Sequence, residues 1–249
     1  MTQQAAAGDA FTVVVTSCGR FDLLRETLKS LFAHMDRPAA RILVIEDSAD
    51  HGVEAAVEGL GPPVEVIVNG VQLGQMRSID KAYATVETPY VFHCEDDWEF
   101  FRSGFIAESF AILQARPDIS MVGLRPRAEL NPLVRNLPSE SIGGVACFAY
   151  DTTLHPEYFS YSFNPGLRRL ADARAIGPFA AIGHEADVSY AFKKAGFRIA
   201  NLETPAVRHL GAGRHVEDPT MPRKARTPWD RLKRSFAKRM KRLRRAFSE

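Results

Sequence analysis

The sequence has few cysteines, and their spacing fits neither a metal cluster nor a disulfide framework. Cys18, Cys94 and Cys147 are odd in number, scattered through 249 residues and free of CxxC pairs. Reduced thiols are the simplest interpretation, and a zinc cluster is not expected. Glycine and proline number 17 and 15, which is no excess, and no period recurs. These absences exclude repeat, collagen-like and largely disordered architectures.

Targeting and membrane-spanning patterns are also absent. The first ten residues, MTQQAAAGDA, have neither the basic region nor the apolar core of a secretory leader. No stretch approaches the roughly 20 apolar residues that a spanning helix needs. The sequence therefore predicts a soluble, non-secreted, cytoplasmic protein with one large domain and an ample core.

Charge is distributed unevenly along the chain. The net charge is only +2, but residues 222–249 hold twelve Lys and Arg against Asp230 and Glu249, a net +10. Residues 1–221 carry 20 basic and 28 acidic side chains, a net −8. This asymmetry indicates an acidic body with a basic tail.

Apolar strand-like runs alternate with helical patterns. Strands are expected at 11–17, 41–46, 64–68, 89–95, 119–124, 145–150, 197–203 and 206–210. Helices are expected at 21–35, 51–60, 74–86, 103–115 and 185–195, with a loop through 125–142. The alternation predicts an α/β fold, with a Rossmann-like, mostly parallel central sheet flanked by helices.

The carboxyl ends of three predicted strands carry polar groups. They are Thr16, Ser17 and Arg20 after the first strand, Glu46 and Asp47 after the second, and Glu95, Asp96 and Asp97 after the fourth. Parallel strands bind ligands at this edge, although Glu46 and Asp47 are also compatible with capping the next helix. Three adjacent carboxylates exceed what a cap needs, and Mg²⁺ or Mn²⁺ with a diphosphate ligand accounts for them.

Residues 227–249 predict a basic amphipathic helix, with Thr227 as N-cap and Pro228 at its first position. Its apolar stripe consists of Trp229, Leu232, Phe236, Met240, Leu243 and Phe247. Over residues 228–247 this pattern suits the anionic, cytoplasmic face of the plasma membrane. Packing on the body or on a second subunit, and nucleic-acid binding, are the alternatives. Nothing else in the chain reads as a nucleic-acid module, so no nucleic-acid partner is expected.

Four segments in order resemble nucleotide-sugar glycosyltransferases of family 2, which have the GT-A fold. They are FTVVVTSCGRFDLLRETLKSLF, ILVIEDSAD, GQMRSIDKAYATVETPYVFHCEDDWEF and GHEADVSYAFKKAGFRI. The resemblance implies a GT-A domain over 11–212, with a nucleotide-binding half at 11–97 and an acceptor half at 98–212. Residues 1–10 would be a flexible N-terminus, and 213–249 a linker and the basic tail.

The resemblance also implies roles for particular residues. Donor binding falls on Thr16, Arg20, Asp47, Gln75, Arg77, Glu95 and Asp96. Asp97 matches the family's metal-binding acid, and His209 its metal-binding histidine, with Mn²⁺ or Mg²⁺ as the ion; a structural His209 is the alternative. Ile79 occupies a position where many relatives carry an arginine, and Arg77 is one candidate to replace that arginine.

The catalytic carboxylate of the family matches Glu185, in the motif Gly-His-Glu-Ala-Asp that ends at Asp187. An acceptor hydroxyl must lose a proton as it attacks, and a helix N-terminus favours an ionised carboxylate. The alternative is that Glu185 and Asp187 only stabilise the first turn of the helix.

The implied function is metal-dependent, inverting sugar transfer from a UDP-, GDP- or dTDP-sugar to a glycan or glycolipid acceptor, as in polysaccharide biosynthesis at a membrane. A nucleotidyltransferase uses similar groups but needs a basic glycine-rich loop after the first strand, and TSCGRFD is a poor one. The alternative outside the enzymes is a non-catalytic protein that binds a sugar nucleotide or a membrane surface. A donor hydrolysis assay distinguishes such a protein from an enzyme.

Overall fold

Eleven strands and nine α-helices make up the part of the chain that the computed structural model describes, residues 7–221 and 227–246. The strands are β1 (Phe11–Ser17), β2 (Arg41–Glu46), β3 (Glu65–Val68), β4 (Tyr90–Glu95), β5 (Trp98–Phe100), β6 (Ile119–Gly123), β7 (Glu140–Ile142), β8 (Val145–Ala149), β9 (Gly166–Arg169), β10 (Arg198–Leu202) and β11 (Val207–His209). The helices are α1 (Phe21–His34), α2 (Gly52–Val57), α3 (Gln75–Ala84), α4 (Phe105–Ala115), α5 (Pro132–Arg135), α6 (Leu170–Ile176), α7 (Phe179–Ile182), α8 (Glu185–Lys194) and α9 (Pro228–Ala246).

Nine strands form one sheet in the order β3-β2-β1-β4-β9-β6-β10-β8-β7. The pairs β1–β2, β1–β4, β2–β3 and β6–β10 are parallel, whereas β8 and β9 run against their neighbours. Seven of the nine strands therefore share one direction, and the predicted mostly parallel α/β sheet is confirmed. The central strands β1 and β2 are buried along nearly all of their length because helices cover both faces of the sheet.

The hydrophobic core lies in two layers, one on each face of the sheet. On one face α1 packs through Leu24, Leu28 and Leu31, whose spacing of four and three residues places them on one side of the helix. On the other face α3 and α8 bury Ile79 and Phe192 against the strands. This sandwich fixes the carboxyl ends of β1, β2 and β4 at one edge of the sheet.

Strand β9 and the helix α6 that follows it are absent from the sequence-based expectation. The strand sequence Gly-Leu-Arg-Arg shows no apolar alternation, and one of its buried residues is the charged Arg168. Its guanidinium donates to the Tyr161 hydroxyl and to the backbone carbonyls of Ser162 and Asn164. The expected loop at 125–142 also contains the short helix α5 and strand β7.

The C-terminal helix α9 covers nearly all of the predicted 228–247; Phe247 lies outside the described residues, as do residues 1–6 of the expected N-terminal segment. Its apolar stripe faces solvent: the exposed fraction is 71% for Trp229 and 65% for Phe236. The side of α9 that meets the body is basic. Among the described residues, no helix combines the length and the apolarity that crossing a bilayer requires.

Candidate active site

A cavity of about 460 Å³ lies where β1, β2 and β4 end. The strand register places Thr16 beside Glu95 and Ser17 beside Glu46, which brings the three predicted polar groups to one place. Eight of the predicted site residues line this cavity: Thr16, Arg20, Asp47, Gln75, Glu95, Asp96, Asp97 and His209. Arg77 is exposed on α3 and is not among the residues that line it.

Arg20 is the cation that faces the triple acid. Its Nη1 lies 2.7 Å from Asp97 Oδ2, and its Nη2 donates to Asp96 Oδ1. Asp96 is fully buried and also accepts a hydrogen bond of 3.1 Å from the Ser17 hydroxyl. One guanidinium thus compensates two neighbouring carboxylates, which could not otherwise be buried together.

Negative charge still exceeds positive charge in this cavity. Burial, followed by the charges of Asp97 and Glu185, raises the pKa of Glu95 to about 7. Burial also raises the pKa of Asp96 to about 6, although the nearby Arg20 acts in the opposite direction. Gln75 Nε2 donates to Glu95 Oε1 at 3.1 Å. The excess of acidic over basic side chains in the cavity lining favours the binding of a further cation.

Asp97 and His209 together have the donor atoms for such a cation. Asp97 Oδ1 is buried and has no hydrogen-bond partner, and His209 Nε2 lies 3.2 Å from Asp97 Oδ2. The pairing of β11 with β5 sets His209 opposite Trp98. A Cβ at Gly211 would lie 2.3 Å from Asp97 Oδ2, so only glycine lets the chain pass this close.

Within the described residues, no group of three or more His, Cys, Asp or Glu side chains has the geometry of a metal site. Two protein ligands are nevertheless sufficient for Mg²⁺ or Mn²⁺ when phosphate oxygens and water supply the rest. The carboxylate and imidazole of Asp97 and His209 therefore fit a divalent ion that is shared with a diphosphate ligand.

Asp47 supports the rim of the cavity. Its carboxylate accepts hydrogen bonds of 2.8 Å from the backbone N–H groups of Leu73 and Gly74, and bonds from the side chains of Asn69 and Ser78. Gly74 has φ +87°, a conformation that favours glycine, and directs its N–H toward Asp47.

Neither Glu46 nor Asp47 caps the following helix, which was the alternative for these acids. The Gly52 N–H at the start of α2 donates to Asp50 instead.

Residues 211–218 form one side of the cavity, in a segment that the sequence assigned mostly to a linker. Asp218 Oδ2 accepts a hydrogen bond of 2.9 Å from the Gln75 N–H at the start of α3. The Glu217 carbonyl accepts one of 2.9 Å from Gln72. The sequence pattern that could have indicated an ordered segment here is Asp-Pro-Thr at 218–220, which is typical of a turn. In the structure Asp218 also accepts a hydrogen bond from the Thr220 N–H.

Glu185 lies at a second cavity, of about 250 Å³, next to the first. Its charge contributes to the raised pKa of Glu95 in the first cavity, so the two sites are within electrostatic reach. Aromatic side chains line much of the second cavity: Tyr150, Tyr158, Phe159 and Tyr161. The sequence analysis did not use these aromatics, although the run YFSYSF at 158–163 was a visible signal.

Asp187 lies apart from both cavity linings. Arg245 of α9 pairs with its Oδ1 at 2.6 Å, and Lys241 pairs with the same oxygen. Burial acts to raise the pKa of Asp187, but these two cations hold it below its usual value. The Asp187 carboxylate also accepts from the His184 N–H, at 3.4 Å, which ties it to the first turn of α8.

Solved glycosyltransferase structures have the same fold. The mannosyltransferase PcManGT from Pyrobaculum calidifontis, in complex with GDP-Man and Mn²⁺, has a TM-score of 0.56 at 15% identity, over 82% of this chain and 59% of its own. GalNAc-T7 with UDP, GalNAc and Mn²⁺ has a TM-score of 0.59 at 13% identity, over 80% of this chain and 43% of its own. Glucosyl-3-phosphoglycerate synthase from Mycobacterium tuberculosis, in complex with phosphoglyceric acid, has a TM-score of 0.57 at 13% identity, over 91% of this chain and 75% of its own.

The chain therefore spans less than two thirds of the first two of these proteins. The predicted GT-A fold is confirmed.

The family assignment rests on the sequence itself. The family described as glycosyl transferase family 2 matches residues 12–186, well over half of the chain. The protein belongs to glycosyl transferase family 2, and the predicted resemblance is confirmed. No curated protein sequence matches the chain.

Proposed function

We propose that this protein is a metal-dependent, inverting glycosyltransferase that moves a sugar from a nucleoside diphosphate to an acceptor hydroxyl. The observation that carries the proposal is the convergence of Arg20, Asp96, Asp97 and His209 in one cavity, next to a second cavity that contains Glu185. Two relatives of the same fold were solved with Mn²⁺ and with a nucleotide or nucleotide sugar, which supports the assignment.

Glu185 is the proposed base. The acceptor oxygen attacks the anomeric carbon from the side opposite the diphosphate, the bond from that carbon to the diphosphate oxygen breaks, and the configuration inverts. Glu185 takes the proton of the attacking hydroxyl. It is exposed at the N-terminus of α8, where the helix dipole favours the ionised carboxylate that a base requires.

Arg20 stabilises the departing diphosphate through its fixed positive charge. A divalent ion held by Asp97 and His209 would neutralise further charge on the diphosphate when it is bound. Thr16, Asp47, Gln75, Glu95 and Asp96 are proposed to bind the nucleoside and sugar of a UDP-, GDP- or dTDP-sugar, whereas Arg77 lies outside the cavity lining and is left out of the proposed donor site.

A nucleotidyltransferase is less well supported by the loop after β1. Binding a triphosphate would need free backbone N–H groups in this loop. The Cys18 and Gly19 N–H groups instead donate to carboxylates, at 3.4 Å to Asp96 Oδ2 and 3.0 Å to Glu46 Oε1.

A donor screen tests the proposed function. The protein is incubated with UDP-, GDP- and dTDP-sugars, and released nucleoside diphosphate is measured with Mn²⁺, with Mg²⁺ and with EDTA. We expect release from one class of donor, its loss in EDTA and its return with added metal. Full release in EDTA would contradict the role of the metal, and no release from any donor would favour a non-catalytic binding protein.

We further propose that α9 holds the enzyme on the cytoplasmic face of the plasma membrane, where it acts on a membrane-associated glycan or glycolipid in polysaccharide biosynthesis. The support is the solvent-facing apolar stripe of a helix from the +10 segment. Helices of this kind bind anionic bilayers through apolar burial together with electrostatic attraction.

Replacing Trp229, Leu232 and Phe236 by alanine tests this membrane attachment without touching the contacts of α9 to the body. Each side chain contributes roughly 1.5–3 kcal/mol when it is buried, so binding to anionic vesicles should fall by at least about 10-fold. Co-sedimentation measures the change, and the residual binding should weaken further as salt rises.

Met221→Ala is the matched control, since it removes an exposed apolar side chain outside α9. Vesicle binding unchanged by the triple substitution would rule out the stripe as the anchor. Truncation after Arg226 is a coarser test, because it also removes the ion pairs of α9 with the body.

A further inference from the structure

We propose that α9 supports the acceptor site from outside its lining and that Arg245 is the positioning residue. In this inference, which rests on the proposed function, Arg245 holds one wall of the aromatic cavity against the helix that bears Glu185. Nothing in the sequence pattern of the tail indicates this role, because the residues it meets lie far away along the chain.

One guanidinium bridges two acids from separate parts of the fold. Arg245 Nη1 lies 2.8 Å from Glu157 Oε1, and Nη2 lies 2.6 Å from Asp187 Oδ1. The Arg245 side chain is itself largely buried, with 17% exposed, and its guanidinium also lies 4.3 Å from the ring centre of Tyr190 on α8. The planar fork of arginine suits such a bridge, whereas a lysine ammonium is a single point charge.

The burial of Glu157 gives its ion pairs with α9 a large free-energy cost of separation. Only 3% of this residue is exposed, and its other oxygen, Oε2, lies 3.2 Å from Arg242 of the same helix α9. A buried carboxylate that loses its cations has a large desolvation cost and repels a neighbouring carboxylate such as Asp187. The acids of the body therefore require α9 in this position.

Neither bridged acid lines the aromatic cavity, but each is close in sequence to residues that do. Glu157 directly precedes Tyr158 and Phe159, which line the cavity wall. Asp187 lies in the first turn of α8, two residues after Glu185. Arg245 thereby fixes the distance between the wall that would receive the acceptor and the carboxylate that would take its proton. Small displacements between reacting groups have large effects on rate.

The variant Arg245→Gln tests the inference, with Arg239→Gln as a control that removes the same charge from an exposed position of α9. For Arg245→Gln we expect a rise in acceptor KM and a fall in kcat/KM for transfer of about 10–100-fold. Donor KM and donor hydrolysis in the absence of acceptor should stay at the wild-type level. Arg245→Lys should recover part of the transfer, and Arg239→Gln should behave as the wild type.

Hydrogen exchange gives a readout that is independent of activity. Arg245→Gln should accelerate amide exchange in residues 155–165 and at the start of α8, and Arg239→Gln should not. Wild-type exchange in Arg245→Gln would overturn the inference, and so would equal losses of transfer and donor hydrolysis, which indicate a general loss of folded protein. Absence of donor hydrolysis in the wild type would refute the proposed function alone, and the exchange result would still decide the role of Arg245.

Discussion

Asp97→Asn is expected to lower kcat/KM for sugar transfer by about 10²–10³-fold, with the fold intact. The substitution keeps the size of the side chain but removes the charge of the carboxylate whose Oδ1 is buried without a partner. A neutral amide binds a divalent cation less strongly, and the charge that develops on the diphosphate is then less well compensated. Transfer rates across a Mn²⁺ titration measure the effect, which should include a higher requirement for metal.

Asp118→Asn is the control for Asp97→Asn. Asp118 is also an aspartate paired with an arginine, Arg116, but it precedes β6 and lies outside the cavity lining. The Asp118→Asn variant should transfer sugar at the wild-type rate. Wild-type transfer by Asp97→Asn, with an unchanged metal titration, would remove Asp97 from the proposed metal site.

Glu185→Gln is expected to lower kcat by about 10²–10⁴-fold while leaving donor binding nearly unchanged. Glutamine preserves the shape and polarity of the side chain but cannot accept the proton of the acceptor hydroxyl. The donor cavity should be little affected, because Glu185 lines the neighbouring aromatic cavity instead. Single-turnover transfer, together with donor binding measured by calorimetry, separates the two effects.

Two further variants make the assignment of the base specific. Glu58→Gln changes an exposed glutamate away from both cavities and should have wild-type turnover. Asp187→Asn should lower turnover less than Glu185→Gln, because Asp187 faces Lys241 and Arg245 of α9. If Asp187→Asn were the more damaging change, Asp187 would be the better candidate for the base.

The sequence predicted the grouping of polar residues at the ends of β1, β2 and β4 better than the contacts around the aromatic cavity. Strands β1, β2 and β4 are mostly apolar runs that end in polar or charged residues, and a parallel sheet brings such ends together whatever the details of packing. The convergence of Arg20 with Asp96 and Asp97 follows from this arrangement. The hydrogen bonds that occupy Asp47 could not be predicted, since they depend on the path of the loop at 69–74.

The acceptor side depends on contacts between distant parts of the chain. The apolar spacing of residues 228–247 predicted the helix α9, but this pattern does not predict which face of the helix contacts the body. That choice is set by Glu157 and Asp187, two acids whose burial is a property of the folded chain. Strand β9 escaped prediction for a similar reason, because Arg168 is buried only where Tyr161 and the backbone of residues 162–164 receive its hydrogen bonds.

The two faces of α9 have a consequence for how the enzyme would meet its acceptor. With about 100° between successive residues, the side chains of Trp229, Leu232 and Phe236 point on average about 140° away from those of Arg242 and Arg245. A bilayer that took up the apolar stripe would leave the ion pairs with the body in place, so α9 could bind both at the same time. An enzyme held in this way keeps its acceptor cavity assembled while it moves along the lipid surface, so that encounters with the acceptor occur by diffusion in two dimensions.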